Sequence, residues 1–325
     1  MSAAAPPGGA MVGLIDRRLV FVTGKGGVGK TTVASALALH AAEHGKKTLV
    51  CEVEPKGDVA SYFESGPASF RAQQVLPRLW TMSMDTEASL REYLRLNLRI
   101  PFVGRIGPLA RAFDFVATAA PGVREILTVG KLCYEVREGH YDLVIADASA
   151  TGHIVGQLSA PQAINDLVKV GLIRTQTDWM LDILSDPDTT GVVIVTTPEE
   201  MPVNETIELA GRLAAETTVQ LAAVIVNRVL AELFARGEEQ VFNQLRRPAL
   251  VAELKRVVRA DPTPVLDAAR LAVTLRRTRA EHLEHLRSGI DPAVPMLYLP
   301  YLFTRLHGVR TVRQVARSLG EELGA

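Results

Sequence analysis

The chain has 325 residues, 47% of them hydrophobic, and its 36 lysine and arginine residues are balanced by 36 aspartate and glutamate residues. A chain of this length can bury a large core, and the zero net charge excludes a bulk field that would attract nucleic acid or an anionic membrane. Cys51 and Cys133 form no C-x-x-C pair, so neither a disulfide framework nor a cysteine-held metal site within one chain is expected.

The amino-terminal segment, residues 1–16, is rich in alanine, proline and glycine and lacks the basic start and apolar centre of a signal peptide. We therefore expect a disordered tail followed by a single domain over residues 17–325. No apolar run approaches the ~20 residues that a membrane-spanning helix needs. These features predict a cytoplasmic protein without a transmembrane segment, which reaches a membrane only through a partner.

Seven short apolar runs recur along the chain with helical stretches between them. They are RLVFVT (18–23), KTLVCEV (47–53), LWTMSM (79–84), YDLVIAD (141–147), GVVIVTT (191–197), LAAVIVN (221–227) and PMLYLP (295–300). This alternation predicts a doubly wound, mainly parallel α/β sheet with helices on both faces. Helical insertions are predicted at about 85–140 and 154–190, and a charged helical section at about 231–288. Ligands of such sheets bind at the carboxyl ends of the strands.

A phosphate-binding pattern follows the first run. Residues 24–31, GKGGVGKT, match G-x-x-x-x-G-K-[ST] between a predicted strand and a predicted helix. Glycines let successive backbone N–H groups converge on phosphate oxygens, so we predict that Lys30 contacts the β and γ phosphates and that Thr31 binds Mg²⁺. The pattern does not require Lys25. The predicted phosphate site comprises Gly24, Lys25, Gly26, Gly27, Val28, Gly29, Lys30, Thr31 and Thr32.

Acidic residues end two other runs. Asp147 closes YDLVIAD, where a carboxylate can bind Mg²⁺; the alternative is an aspartate that caps the next turn. Glu54 follows the second run on the same face as Glu52. A carboxylate at this position can orient the attacking water and contact Mg²⁺ through water. The alternative for Glu54 is a solvated acidic turn around Pro55 and Gly57.

The choice of base is predicted from residues 226–230, VNRVL. They lack the aspartate of the N-K-x-D pattern common in guanine sites, so ATP is the predicted nucleotide. The Asn227 amide can bond the adenine edge, with Arg228 beside it, although asparagine at a strand end is also a common turn former.

Together, these segments resemble the deviant Walker A ATPases of the ArsA and tail-anchored-protein-targeting (Get-type) family, relatives of MinD, ParA and the nitrogenase iron protein. The segments are KGGVGKTT, the Glu-Pro turn, PGVREIL, YDLVIADASATGH, PEEMPVNET, IVNR and LPYLFTRLHGV. The resemblance spans about residues 18–320 and is closest to bacterial half-length ArsA-family proteins, some of which occur as paired paralogues. It implies a P-loop NTPase fold, ATP hydrolysis and Mg²⁺.

In that family the additional lysine reaches across a nucleotide-sandwich dimer to the phosphates bound by the partner. By this resemblance Lys25 acts on a neighbour's nucleotide, and the chain forms a homodimer or a heterodimer with a paralogue. A cation delivered in trans stabilises charge on the transferring phosphoryl group. The adenine pocket, again by resemblance, is completed by the loop from Pro300 to Gly308, including Leu302.

Departures from the family patterns bear on the substrate. Glu54 stands where the family usually has aspartate. No cysteine follows Asp147, so a cluster for electron transfer is not expected. A C-x-x-C clasp is absent, the segment after His153 is short for a tail-anchor groove, and the cysteines do not support arsenite as substrate.

The sequence therefore predicts a Mg²⁺-dependent ATPase that acts as a nucleotide-sandwich dimer switch and couples ATP hydrolysis to transport or targeting of an anion or a membrane-protein client. The alternatives are a MinD- or ParA-like positioning ATPase and, third, an ATP-dependent small-molecule ligase. Residues 90–116 carry a leucine stripe beside arginines. This stripe either faces a client or packs on the core. No nucleic-acid partner is expected.

Overall fold

A computed structural model describes residues 13–98, 122–235, 237–303 and 308–324. The strands are β1 (Leu19–Gly24), β2 (Thr48–Glu52), β3 (Gln73–Leu76), β4 (Leu79–Ser83), β5 (Leu143–Ala150), β6 (Thr190–Thr196), β7 (Leu221–Val229) and β8 (Met296–Pro300). The helices are α1 (Lys30–Glu43), α2 (Asp58–Tyr62), α3 (Thr86–Leu98), α4 (Val123–Arg137), α5 (Thr151–Leu167), α6 (Leu172–Ser185), α7 (Glu200–Glu216), α8 (Glu238–Leu245), α9 (Pro248–Val258), α10 (Thr263–Gly289) and α11 (Val309–Leu323).

One sheet joins the eight described strands in the order β3-β4-β2-β5-β1-β6-β7-β8. Every neighbouring pair is parallel except β3 and β4. All seven predicted runs form strands, and the predicted α/β fold class is confirmed. Strand β3 was not predicted, because its first residues, Gln73 and Gln74, are polar and exposed at the sheet edge and give no apolar pattern.

Helices cover both faces of the sheet, since side chains alternate along each strand. On β1, Val20 and Val22 pack on one face in a core shared with α1 and α11. Leu19 and Phe21 point to the other face, in a core shared with α4, α5 and α6. The long run of buried residues on α1 places this helix in the centre of its layer.

Helices occur in both segments where insertions are predicted. Helices α3 and α4 lie within 85–140, and residues 99–121 lie outside the described part. Helix α5 begins at Thr151, three residues before the second predicted insertion, and α6 lies within that insertion; Ile154 and Leu184 are almost fully buried against the sheet. These two helices therefore form part of the layer on that face.

Two further sequence expectations concern the surface. Leu14, within the segment predicted as a tail, is 6% exposed and packs in the core with α1. In the leucine stripe of residues 90–116, Leu94 is 8% exposed and packs inward, while the residues after α3 lie outside the described part. None of the described helices combines the length and apolar character needed to cross a bilayer.

Strand order brings the predicted site residues to one edge of the sheet. In the parallel ladders Asp147 on β5 lies beside Val22 on β1 and beside Glu52 on β2. The phosphate loop, the Glu52–Glu54 segment and Asp147 therefore meet at the carboxyl ends of three adjacent strands.

Candidate functional site

A cavity of about 500 Å³ opens at the carboxyl ends of β1, β2 and β5. Its walls come from the phosphate loop and the start of α1, the segment from the end of β2 through α2, the end of β5, one residue near the end of β7 and one residue before α11. The lining residues are Gly26, Gly27, Gly29, Lys30, Thr31, Thr32, Glu52, Glu54, Lys56, Asp58, Ser61, Tyr62, Asp147, Ala148, Arg228 and Gly308. The site predicted from three separate motifs is thus one continuous space.

Two glycines of the phosphate loop permit no side chain. Gly24 has a φ of +145°, and an added Cβ would lie 2.0 Å from the Val195 carbonyl oxygen on β6. Gly29 has a φ of +97°, and its added Cβ would lie 2.5 Å from the Asn227 amide nitrogen. The loop is therefore pressed against β6 and β7, and the amino terminus of α1 faces the cavity with its unpaired N–H groups and positive dipole end.

The side chains of the two lysines in the loop make different contacts. Lys30 lines the cavity, and its Nζ lies 3.3 Å from the Lys25 carbonyl oxygen. Burial lowers the pKa of Lys30, and the nearby Asp147 carboxylate opposes that effect. Lys25 is not part of the lining; its Nζ forms an ion pair with Glu205 Oε1 on α7. Of the two lysines of the loop, Lys30 is therefore the one placed to meet a phosphate bound in this cavity.

The Mg²⁺ ligands predicted from the sequence lie side by side. Thr31 Oγ1 donates a hydrogen bond to Asp147 Oδ2 at 2.7 Å, while the buried Asp147 Oδ1 has no partner among the described residues. Burial raises the pKa of Asp147 to about 6. An unpaired carboxylate oxygen beside a hydroxyl suits a hard cation. No cluster of three acidic, histidine or cysteine residues suited to a metal occurs in the described part, so phosphate and water would complete the shell.

The unpaired carboxylate predicts a stability effect. Without Mg²⁺, Asp147→Asn is expected to raise the free energy of unfolding by roughly 2–3 kcal/mol at pH 8. The folded pKa of about 6 exceeds the ordinary 3.8, so the stability of the parent chain falls as pH rises from about 4 to about 6 and is then level. Asparagine still accepts the Thr31 hydrogen bond.

Urea unfolding in EDTA measures this effect. The gain should be about half as large at pH 5 as at pH 8. Asp182→Asn, at an exposed position on α6, is the matched control and should change little. An equal gain at both pH values, or a loss, would contradict burial of the Asp147 charge as the cause.

Glu54 lies at the cavity rim within an ion pair. Its Oε2 is 3.0 Å from Lys56 Nζ. The hydrogen bond from Lys56 is the main cause that lowers the pKa of Glu54, and a hydrogen bond from Ser149 on β5 adds to it. Glu54 is therefore a carboxylate at neutral pH, as a residue that orients water must be. Lys56, which also lines the cavity, was missed as a site residue although it follows the Glu-Pro turn.

Glu52 supports the turn that carries Glu54. Its side chain is buried, and its two oxygens accept hydrogen bonds of 2.9 Å from the backbone N–H groups of Gly57 and Asp58. Ser83 Oγ donates a weaker bond at 3.4 Å. Glu52 thus fixes the start of α2 and, with it, the position of Glu54. Its place on the same face as Glu54 was predictable, but this role was not.

Asn227 contacts the phosphate loop in this structure. Its Nδ2 donates to the Val28 carbonyl oxygen at 2.8 Å, and its Oδ1 accepts from the Arg228 N–H at 2.9 Å. Arg228 has a φ of +60°, a conformation that is uncommon outside glycine, and lines the cavity. The amide therefore supports the loop here, and its bond to adenine stays a prediction.

The remaining predicted nucleotide contacts are more scattered. Thr32 Oγ1 lies 2.7 Å from the Tyr62 hydroxyl, which was not predicted, and both residues line the cavity. Pro300 and Leu302 are not among the lining residues; Leu302 packs against the core beside α1. Residues 304–307 lie outside the described part.

Comparison with known proteins places these features among ATPases. The sequence matches the profile of the anion-transporting ATPase family over residues 17–181 and 170–249. ATPase BagA of Mycobacterium tuberculosis is 34% identical over 243 residues, 70% of this chain and 71% of BagA. A putative arsenical pump-driving ATPase of Halobacterium salinarum is 25% identical over 303 residues, 86% of this chain and 45% of that protein. ATPase get3 of Pyrenophora tritici-repentis is 29% identical over 170 residues, 51% of this chain and 50% of that protein.

Proposed function

Because this chain belongs to the anion-transporting ATPase family, and is therefore an ATPase, we propose that it hydrolyses Mg²⁺-ATP as a nucleotide-sandwich dimer switch. The family resemblance of the sequence motifs and the assignment as an ATPase are confirmed. One observation carries the dimer proposal: of two lysines in one loop, Lys30 lines the cavity and Lys25 does not. A lysine that does not line the nucleotide cavity of its own chain can contact the nucleotide bound by a second chain.

Within one chain, the cavity residues have separate roles in ATP hydrolysis. Lys30 contacts the β and γ phosphates, and the Thr31 hydroxyl and Asp147 hold Mg²⁺, which when bound neutralises phosphate charge. Glu54, kept ionised by Lys56, orients the attacking water. Asn227 keeps the loop against β7.

The second chain supplies Lys25. Its side chain and that of Glu205 keep 28% and 31% exposure, so the ammonium group is accessible from the surface. Bound to the partner's γ-phosphate, it helps to hold the dimer closed, and it interacts more strongly with the charge that develops in the transition state. Hydrolysis then removes the group that holds Lys25 across the interface, and the dimer opens. The partner is either a second copy or a paralogue.

Sedimentation velocity tests this assembly. With Mg²⁺ and a non-hydrolysable ATP analogue, the chain alone or mixed with its paralogue is expected to sediment as a dimer, and with ADP mainly as a monomer. Full ATPase activity from a chain that remains monomeric with both nucleotides would contradict the proposal. Dimerisation that requires the paralogue would identify the heterodimer.

The energy of hydrolysis is proposed to drive transport of an anion or targeting of a membrane-protein client. The Halobacterium relative is named for driving an arsenical pump. Arsenite itself is not supported, because Cys51 and Cys133 are completely buried and burial raises the pKa of both thiols. Helix α11 buries Val312 and Leu319 against the core with α1, so this helix does not support a MinD-like contact with the membrane.

A further inference from the structure

Glu205 lies outside the cavity, but its carboxylate connects the phosphate loop to the start of α5. It is on α7, and its Oε1 pairs with Lys25 of the phosphate loop. Its Oε2 accepts a hydrogen bond of 3.2 Å from Thr151 Oγ1. Thr151 is the first residue of α5 and follows the strand that carries Asp147. One carboxylate therefore contacts both the loop that binds phosphate and the segment after the metal ligand.

We propose that Glu205 is a positioning residue that holds Lys25 on its own chain until the nucleotide of a neighbouring chain replaces it. The inference rests on the proposed role of Lys25 in trans. Glu205 makes that role conditional, because the lysine that activates the neighbour is bound in cis while the chain is alone. Assembly then requires exchange of the Glu205 carboxylate for phosphate oxygens.

The surroundings of Glu205 and Lys25 determine which of these two side chains moves when the ion pair breaks. Two nearby residues of α7 anchor the helix in the core: Val203 and Thr206 are at most 1% exposed, and Thr206 Oγ1 donates to the Pro202 carbonyl oxygen. The carboxylate is therefore carried by a helix fixed to the core. Lys25 sits on a glycine-flanked loop with a long side chain, so the lysine is the group that transfers.

The strength of the pair suits an exchange. Both side chains keep roughly a third of their exposure, and ion pairs at such sites are weak because water screens them. A bound triphosphate carries several negative charges and attracts an ammonium group more strongly than one carboxylate does. The pair with Glu205 is therefore weak enough for a bound triphosphate to displace it.

Contact with Thr151 links the exchange to the metal side of the site. While Lys25 is bound, Glu205 joins the phosphate loop to the start of α5. When Lys25 leaves, one of these two contacts is removed, and Thr151 keeps the carboxylate. Release of the lysine therefore changes the contacts of Glu205 at the start of α5, directly after the strand that carries Asp147.

The test measures assembly with Mg²⁺ and a non-hydrolysable ATP analogue, in the homodimer or with the paralogue. Glu205→Gln keeps the shape and an acceptor for Thr151 but removes the charge. It is expected to lower the chain concentration at half-assembly by roughly 2- to 30-fold, since a symmetric dimer breaks two such pairs. Glu208→Gln, at an exposed position three residues later on α7, is the matched control and should leave that concentration unchanged.

A double variant separates positioning from a general structural effect. If Glu205 acts through Lys25, Glu205→Gln has no effect on assembly in a Lys25→Ala background. Unchanged or weaker assembly of Glu205→Gln overturns the inference, as does a gain that persists without Lys25. Assembly and turnover of Lys25→Ala equal to those of the parent chain instead contradict the trans role, so the two failures are distinguishable.

Discussion

Replacing Lys25 with alanine is expected to slow ATP turnover by about 10³-fold, with nearly unchanged ATP affinity of the single chain. Lys25 does not line the cavity and is bound to Glu205, so its loss removes nothing that holds the nucleotide of its own chain. The contact forms only in the closed dimer and strengthens in the transition state, so its loss lowers kcat without a matching change in ATP binding by the single chain. Steady-state hydrolysis and equilibrium titration with a fluorescent ATP analogue measure the two quantities.

Two variants control for the loss of a positive charge as such. Lys46→Ala removes the ion pair with Asp16 at the far end of α1 and should leave turnover unchanged. Lys25→Arg keeps the charge on a side chain of different shape and should recover part of the activity, because a point charge and a planar fork meet phosphate differently. Undiminished turnover of Lys25→Ala would disprove the trans role.

Much of the site could be predicted because it depends on local pattern and on one property of parallel sheets. Lys30 and Thr31 follow from the spacing of the phosphate loop. Asp147 and Glu54 follow from strands that end in a carboxylate, since the carboxyl ends of neighbouring parallel strands share an edge. The shared edge does not depend on strand order, but the order β2-β5-β1 is what makes these four residues neighbours, and the sequence did not predict that order. The same reasoning correctly gave the seven apolar strands.

The features that escaped prediction are mainly contacts between distant segments. Lys25 and Glu205 are 180 positions apart, and their pairing requires that α7 follow a strand next to β1. In the sequence, the segment PEEMPVNET, which contains Glu205, indicates only a family resemblance. Asn227 was read for a base contact, but its position beside Gly29 directs the amide to the loop. The edge strand β3 was missed for a different reason, since exposed polar residues do not need to alternate.

Lys30→Ala is expected to differ from Lys25→Ala in its effect on ATP binding, although both variants lose turnover. Loss of a cation in contact with two phosphates inside a cavity is expected to weaken ATP binding by at least about 100-fold. Turnover is lost as a consequence, because the site is then empty at ordinary ATP concentrations. The same titration and hydrolysis assays measure both effects. Tight ATP binding by Lys30→Ala would show that the phosphates lie elsewhere.

Mixing the two inactive variants tests the assignment of both lysines at once. In a mixed dimer, the Lys25→Ala chain retains Lys30 for its own nucleotide and receives Lys25 from the Lys30→Ala chain. That site is complete only if Lys25 acts in trans, so an equimolar mixture is expected to recover activity at up to about a quarter of the sites, since half of the dimers are mixed and one site of two is intact in each. If both lysines serve the same chain, every site lacks one of them and the mixture stays inactive.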